Sequence, residues 1–152
     1  TPFDRNKTLW SSFVIETPKH RVFFSGDTGL TNDFVTIREK KGPFDLVMLE
    51  VGAFHPSWGD IHLGPDNALI AHRMLGGGTL LPVHWGTFDL ALHAWDEPIE
   101  TLARRAPELS AHVVTPRLGR AIEPAHVEHI DPWWREVGGV LRAPGELSLS
   151  RE

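Results

Sequence analysis

Apolar residues in this chain gather into short runs whose rhythm alternates between two and roughly three and a half. Leu9 to Glu16 and Arg21 to Ser25 are β-favouring runs separated by Thr17-Pro18-Lys19-His20, a spacing that predicts a hairpin. Phe34 and Ile37 then recur at helical spacing. Asn32 or Asp33 is placed to cap that helix, and Gly42-Pro43 to stop it after the basic last turn. Asp45 to Gly52 reads Asp-Leu-Val-Met-Leu-Glu-Val-Gly, a run suited to a strand covered on both faces. Gly64-Pro65 opens a second helix carrying Leu69, Ile70, Met74 and Leu75, and three glycines from Gly76 end it. Thr79 to Gly86 predicts a further strand, and Asp96 caps a helix reaching about Arg105. Beyond Pro107 the signals weaken to two short candidate strands, His112 to Thr115 and Arg120 to Glu123. The alternation predicts an α/β fold (α+β by some schemes), a mixed sheet with helices on one face.

The way the strands end changes the picture. The second runs into Ser25-Gly26-Asp27-Thr28-Gly29, the third into a polar stretch reaching His62, and the fourth into His84-Trp85-Gly86. If these strands are parallel neighbours, Asp27, His62 and His84 converge on one edge of the sheet, where open α/β sheets bind ligands. Carboxylate and imidazole at such an edge suit metal binding or proton exchange. Taken singly, each residue has a plainer role: Asp27 as a turn former, His84 as a structural strand-end histidine, His62 as a backbone partner at a helix start.

Composition adds boundaries. At 152 residues the chain suits one domain, burying roughly 70% of its unfolded surface. Its net charge of -5 and lack of any long basic block give no footprint for nucleic acid. No run of about 18 apolar residues predicts a membrane-spanning helix, and no signal-peptide pattern is present, so a cytoplasmic location is the expectation. With no cysteine there is no disulfide framework. Nine histidines in a mildly acidic chain, and a first residue Thr1 rather than Met, are the two oddities.

The segments Phe-Phe-Ser-Gly-Asp-Thr-Gly, Gly-Pro-Phe-Asp-Leu-Val-Met-Leu-Glu-Val-Gly-Ala-Phe, Ile-His-Leu-Gly-Pro-Asp-Asn-Ala-Leu and Leu-Pro-Val-His-Trp-Gly-Thr-Phe together resemble the carboxyl-terminal half of a metallo-β-lactamase-superfamily hydrolase. The branch containing N-acylphosphatidylethanolamine-hydrolysing phospholipase D is the most similar, and the L-ascorbate 6-phosphate lactonase branch more distantly so. The resemblance covers about Phe3 to Leu102. It implies half of an αββα sandwich. It also implies that Asp27 bridges two divalent ions, most simply zinc, that His84 ligates the second, and that His62 contacts the substrate or its leaving group. The activity implied is hydrolysis of a phosphodiester, lactone or related ester of a small molecule or lipid by metal-activated water.

The family's first metal-binding element, His-x-His-x-Asp-His, has no counterpart here, and only His20, in a turn, precedes Asp27. Asp27 and His84 fall short of the four ligands, or three plus water, that one zinc takes. The expectation is therefore a half-site, inactive and weakly metal-binding by itself, completed by an amino-terminal half or a second copy. A half-fold of this kind would leave Val22, Phe24, Val47, Leu49 or Leu81 facing water on an apolar sheet face. The competing reading is a non-catalytic binding or assembly module that uses that face. Asp-Thr-Gly also marks aspartic proteases, but Gly26 and Leu30 flank it poorly and the α/β alternation contradicts an all-β protease. His55, His72, His93, His112, His126 and His129 are expected on the surface or on helix faces. Trp58 and Trp85 are candidates for pocket or core, and Trp133-Trp134 for a patch or a core cover. Asp4 to Asn6 is expected as a loop, and the stretch from Pro144 as a mobile tail.

Overall fold

A computed structural model of the chain describes residues 10–88, 91–123, 126–127 and 130–137. The expected positions at Leu9, Asp4 to Asn6, His129 and the tail from Pro144 lie outside them. Five strands form one sheet in sequence order: β1 (Phe13–Glu16), β2 (Arg21–Phe24), β3 (Leu46–Glu50), β4 (Thr79–Val83) and β5 (His112–Val113). β1 pairs antiparallel with β2, and the remaining neighbours pair parallel. Helices α1 (Asp33–Lys41), α2 (Gly64–Met74) and α3 (Glu97–Arg105) connect or follow the parallel strands. The mixed five-strand α/β sheet is the fold class that the alternation predicts.

The register sorts the side chains into two faces. Val14, Phe23, Val47 and Leu80 stand in one cross-strand row, and the last three are fully buried. They join Phe34 of α1, Leu69 of α2 and Ile99 and Leu102 of α3 in a single core. Each such side chain contributes roughly 1.5–3 kcal/mol on burial. Phe23 meets Phe34 edge-to-face at 6.1 Å, fixing α1 against β2. The opposite face carries the rows Phe13, Phe24, Met48, Leu81 and Ile15, Val22, Leu46, Thr79. Here Phe13 is 57% and Ile15 53% exposed, and Val22, Phe24, Leu46, Met48 and Leu81 are only partly buried. Thr79 and Glu50, towards the two ends of this face, are buried, and between them its side chains stay partly open to solvent.

Several local expectations need correction. Val47 and Leu49 point into the helix-covered core, because they alternate with Met48 and Glu50 rather than sharing their face. Residues 10–12 are irregular, so β1 is shorter than its composition suggests, and Arg120 to Glu123 forms no strand. The N-cap of α1 is Asn32, one of the two candidates, but its side chain makes no cap bond, and the Thr31 hydroxyl accepts from the Asp33 amide instead. His72 lies on α2 but is buried, its Nε2 bonded to the Gly78 carbonyl at 2.9 Å. Burial holds its pKa below the ordinary histidine value. Trp133-Trp134 is core cover rather than patch. Trp134 is buried, and Trp133 packs at a tilt against Trp85 with ring centroids 5.5 Å apart. The Glu100 carboxylate accepts from Trp134 Nε1 at 2.8 Å and from Arg135 at 2.7 Å, which clamps this segment onto α3.

Candidate metal centre

β2, β3 and β4 run parallel, so their carboxyl ends lie side by side. The chain leaves β2 through Ser25, whose hydroxyl accepts from the Glu50 amide at 3.2 Å, and then turns at Gly26, with φ of 61°. That turn sets Asp27 on the lip of the cleft with its side chain 58% exposed. β4 runs out into His84, which adopts φ of 62°. A left-handed conformation at a non-glycine residue costs of order 1–3 kcal/mol and persists only where the surroundings enforce it. Here the conformation brings His84 Nε2 to 3.7 Å from Asp27 Oδ1. His62, just before α2, stacks on His84 with ring centroids 5.2 Å apart.

The sequence reading missed the group behind them. Glu50, the last residue of β3, is fully buried. Its Oε1 accepts the amides of Thr28 at 2.7 Å and Leu63 at 3.3 Å, and its Oε2 bonds His62 Nδ1 at 2.6 Å. The same Oε2 lies 3.6 Å from His84 Nδ1, near but beyond hydrogen-bond length. Burial pushes the Glu50 carboxyl up, opposed by the Thr28 amide and by His62. The signal for it lay in Leu-Glu-Val-Gly: a lone charge closing an apolar strand, the position type already recognised at Asp27 and His84.

Two glycines let these loops meet. A Cβ on Gly52 would stand 2.1 Å from the His84 carbonyl oxygen, and one on Gly29 would stand 1.8 Å from that of Asp60. Beside His84 opens a cleft of about 400 Å³ lined by Trp85, Phe88, His93 and Trp95. His93 is tied back by the Phe54 amide at 3.3 Å and by stacking on the Phe54 ring. His55 instead caps the turn at Pro56–Trp58 through Ser57, and His20 lies exposed in the hairpin turn.

Residues 1–85 match the family described as Beta-lactamase superfamily domain. The chain belongs to the metallo-β-lactamase superfamily. An uncharacterized protein of Mycobacterium tuberculosis is 45% identical over 134 residues, covering 86% of this chain and 36% of that protein. The N-acyl-phosphatidylethanolamine-hydrolyzing phospholipase D 1 of Caenorhabditis elegans is 37% identical over 90 residues, 57% of this chain and 25% of the enzyme. Among solved structures, an isothiocyanate hydrolase from Delia radicum gut bacteria superimposes with a TM-score of 0.58 at 21% identity, over 74% of this chain and 44% of that one. The chain thus spans about a third of its mycobacterial relative. No helix among the described residues is long and apolar enough to cross a membrane.

The donor set fits a divalent ion. Asp27 Oδ1 and His84 Nε2 offer an oxygen and an imidazole nitrogen at a separation two ligands of one ion can share. Glu50, His62 and His84 also have ligand atoms within 4.8 Å of one another. Glu50, however, has both oxygens engaged by Thr28, Leu63 and His62, which suits a group holding ligands in place.

Proposed function

We propose that this chain supplies part of the active site of a metal-dependent hydrolase. The observation that carries the reading is the approach of Asp27 and His84 at the sheet edge, with the His62 imidazole alongside. Asp27 and His84 would hold the metal, with zinc the simplest occupant, and a second ion would share the exposed Asp27 carboxylate. A divalent ion bound there supplies a Lewis acid for a substrate oxygen and lowers the pKa of water. His62 then stands where it can give a proton to a leaving oxygen or orient the substrate. Through its cross-strand partner Val83 and its neighbour Met48, Glu50 belongs to the open face of the sheet. Whatever covers that face therefore comes within reach of the metal site and can supply the remaining ligands. The covering element is an amino-terminal half of the sandwich or a second copy, and the chain alone is inactive. The phospholipase relative and the apolar cleft beside His84 support an ester or phosphodiester substrate with an apolar part.

The experiment is zinc analysis of the natural full-length protein and of its Asp27→Asn and His84→Asn variants, with hydrolysis of bis(para-nitrophenyl) phosphate and para-nitrophenyl acetate. Wild-type protein should hold zinc and cleave one of the two, and both variants should lose metal and rate together. Full metal content and full rate in either variant would overturn the reading. A second reading, an assembly module without catalysis, is favoured only by the open apolar face. Assembly without metal or hydrolysis in the full-length protein would support it.

A further inference from the structure

We infer that Glu50 is a positioning residue that sets the tautomer of His62. The inference rests on the reading that His62 works beside the metal, but it makes a claim about the free chain that can fail separately. Three loops carry the site, and Glu50 is bonded to two of them. Oε1 takes the Thr28 amide next to Asp27 and the Leu63 amide next to His62, and Oε2 takes His62 Nδ1. It also stands behind the third loop, 3.6 Å from His84 Nδ1. Burial pushes the Glu50 carboxyl up, but the two backbone N–H groups on Oε1 and the imidazole on Oε2 favour its ionised form, and an ionised carboxylate only accepts. The proton of the 2.6 Å contact therefore sits on His62 Nδ1, and the lone pair of neutral His62 is on Nε2. His84, stacked on His62 with its own Nε2 toward Asp27, presents the same edge. One buried side chain thus fixes the His62 imidazole with Nδ1 inward and Nε2 outward, and His84 lies alongside with its Nδ1 on the same side but not bonded. Carboxylates behind metal-site histidines act in this way.

Glu50→Gln changes the proton rather than the shape. Two amide donors face Oε1, so the glutamine oxygen must stay there and its NH₂ must take the place of Oε2. That NH₂ can only donate, so His62 must accept on Nδ1 and carry its proton on Nε2. Nitrogen-15 correlation spectra of the zinc-loaded full-length protein, with His62 assigned through His62→Asn, read the tautomer directly. Wild type should show protonated Nδ1 with bare Nε2, and Glu50→Gln should exchange the two. Zinc stoichiometry at saturation should be unchanged in the variant, with affinity weakened by no more than about 10–100-fold. A wild-type His62 protonated on Nε2, or a folded variant that keeps the wild-type tautomer, would overturn the inference. So would a variant that loses a zinc equivalent at saturation, which would make Glu50 a ligand. If the variant does not fold, the wild-type spectrum alone decides. None of these outcomes alters the metal contents of the Asp27 and His84 variants, so the two ideas fail separately.

Discussion

Replacing Gly52 by alanine isolates the close approach of β3 to β4. The new Cβ would sit 2.1 Å from the His84 carbonyl oxygen, 3.1 Å from its carbonyl carbon and 3.3 Å from Trp85 Cα. These are backbone atoms, and ordinary contact begins near 3.5 Å, so the strand ends must part by about 1.4 Å. The adjacent bond from the Val51 amide to the Val83 carbonyl, 3.0 Å, resists that movement. Overpacking of this kind costs about 1–3 kcal/mol, a melting-temperature loss of about 2–12 °C for a protein of this size or somewhat larger. Relief comes by displacing His84 from Asp27. If the strain must be restored to bind zinc, affinity falls by about 5- to 150-fold. Gly77→Ala is the control. Its Cβ meets no atom within 4 Å, but its φ of 86° makes alanine strained by about 1–2 kcal/mol, at the opposite end of β4 from His84. Melting in chelator followed by competitive zinc titration of the full-length variants separates the effects. Gly77→Ala should lower stability and leave zinc affinity alone, whereas Gly52→Ala should lower both. Wild-type melting and wild-type affinity in Gly52→Ala would refute the account of how His84 is placed.

Further outcomes follow from other parts of the molecule. His72 is held neutral by burial, whereas in the unfolded chain it titrates near 6.5. Protons therefore favour unfolding, and its contribution is complete above that value and lost as pH falls from 6.5 toward the lowered folded pKa. Urea unfolding should show His72→Gln flattening this loss of stability, and an unchanged pH slope would contradict it. Trp134→Ala should cost about 3–5 kcal/mol by denaturant titration, and a loss below 1 kcal/mol would return the tryptophan pair to the surface. The 152-residue chain alone should associate through Phe13, Ile15 and Phe24, since exposed apolar surface drives burial at about 25 cal/mol per Å². A 17 kDa monomer in light scattering would show that the open face tolerates water.

The sheet order and helices were legible because the apolar runs are short and bounded by glycine, proline or charge. Leu46–Glu50 and Thr79–Val83 are plain cases. What a period cannot reveal is which face of a fully apolar strand meets the helices, so Val47 and Met48 were indistinguishable until the register was known. Asp27, His62 and His84 stood out as polar residues after apolar strands. Glu50 did not, because a charge inside a strand motif reads as its solvent-facing end, whereas here loops from β2 and α2 fold over it. His72 likewise looked like a helix-face residue until the Gly78 carbonyl was found to bury it. Trp133-Trp134 was unreadable because its partners, Trp85 and Glu100, are distant in sequence.

The strand order bears on the sequence of events in folding. Each strand lies against its neighbour in the chain, so the sheet can grow by adding one unit to the last, although each parallel pairing must close a connection that carries a helix. Asp27, Glu50, His62 and His84 belong to consecutive units, so the site is complete only once β2 has paired with β3 and β3 with β4. Parallel pairings of this kind form more slowly than hairpins. The site therefore takes shape with the pairing of β2, β3 and β4 itself, and whatever loosens either pairing pulls its histidines apart.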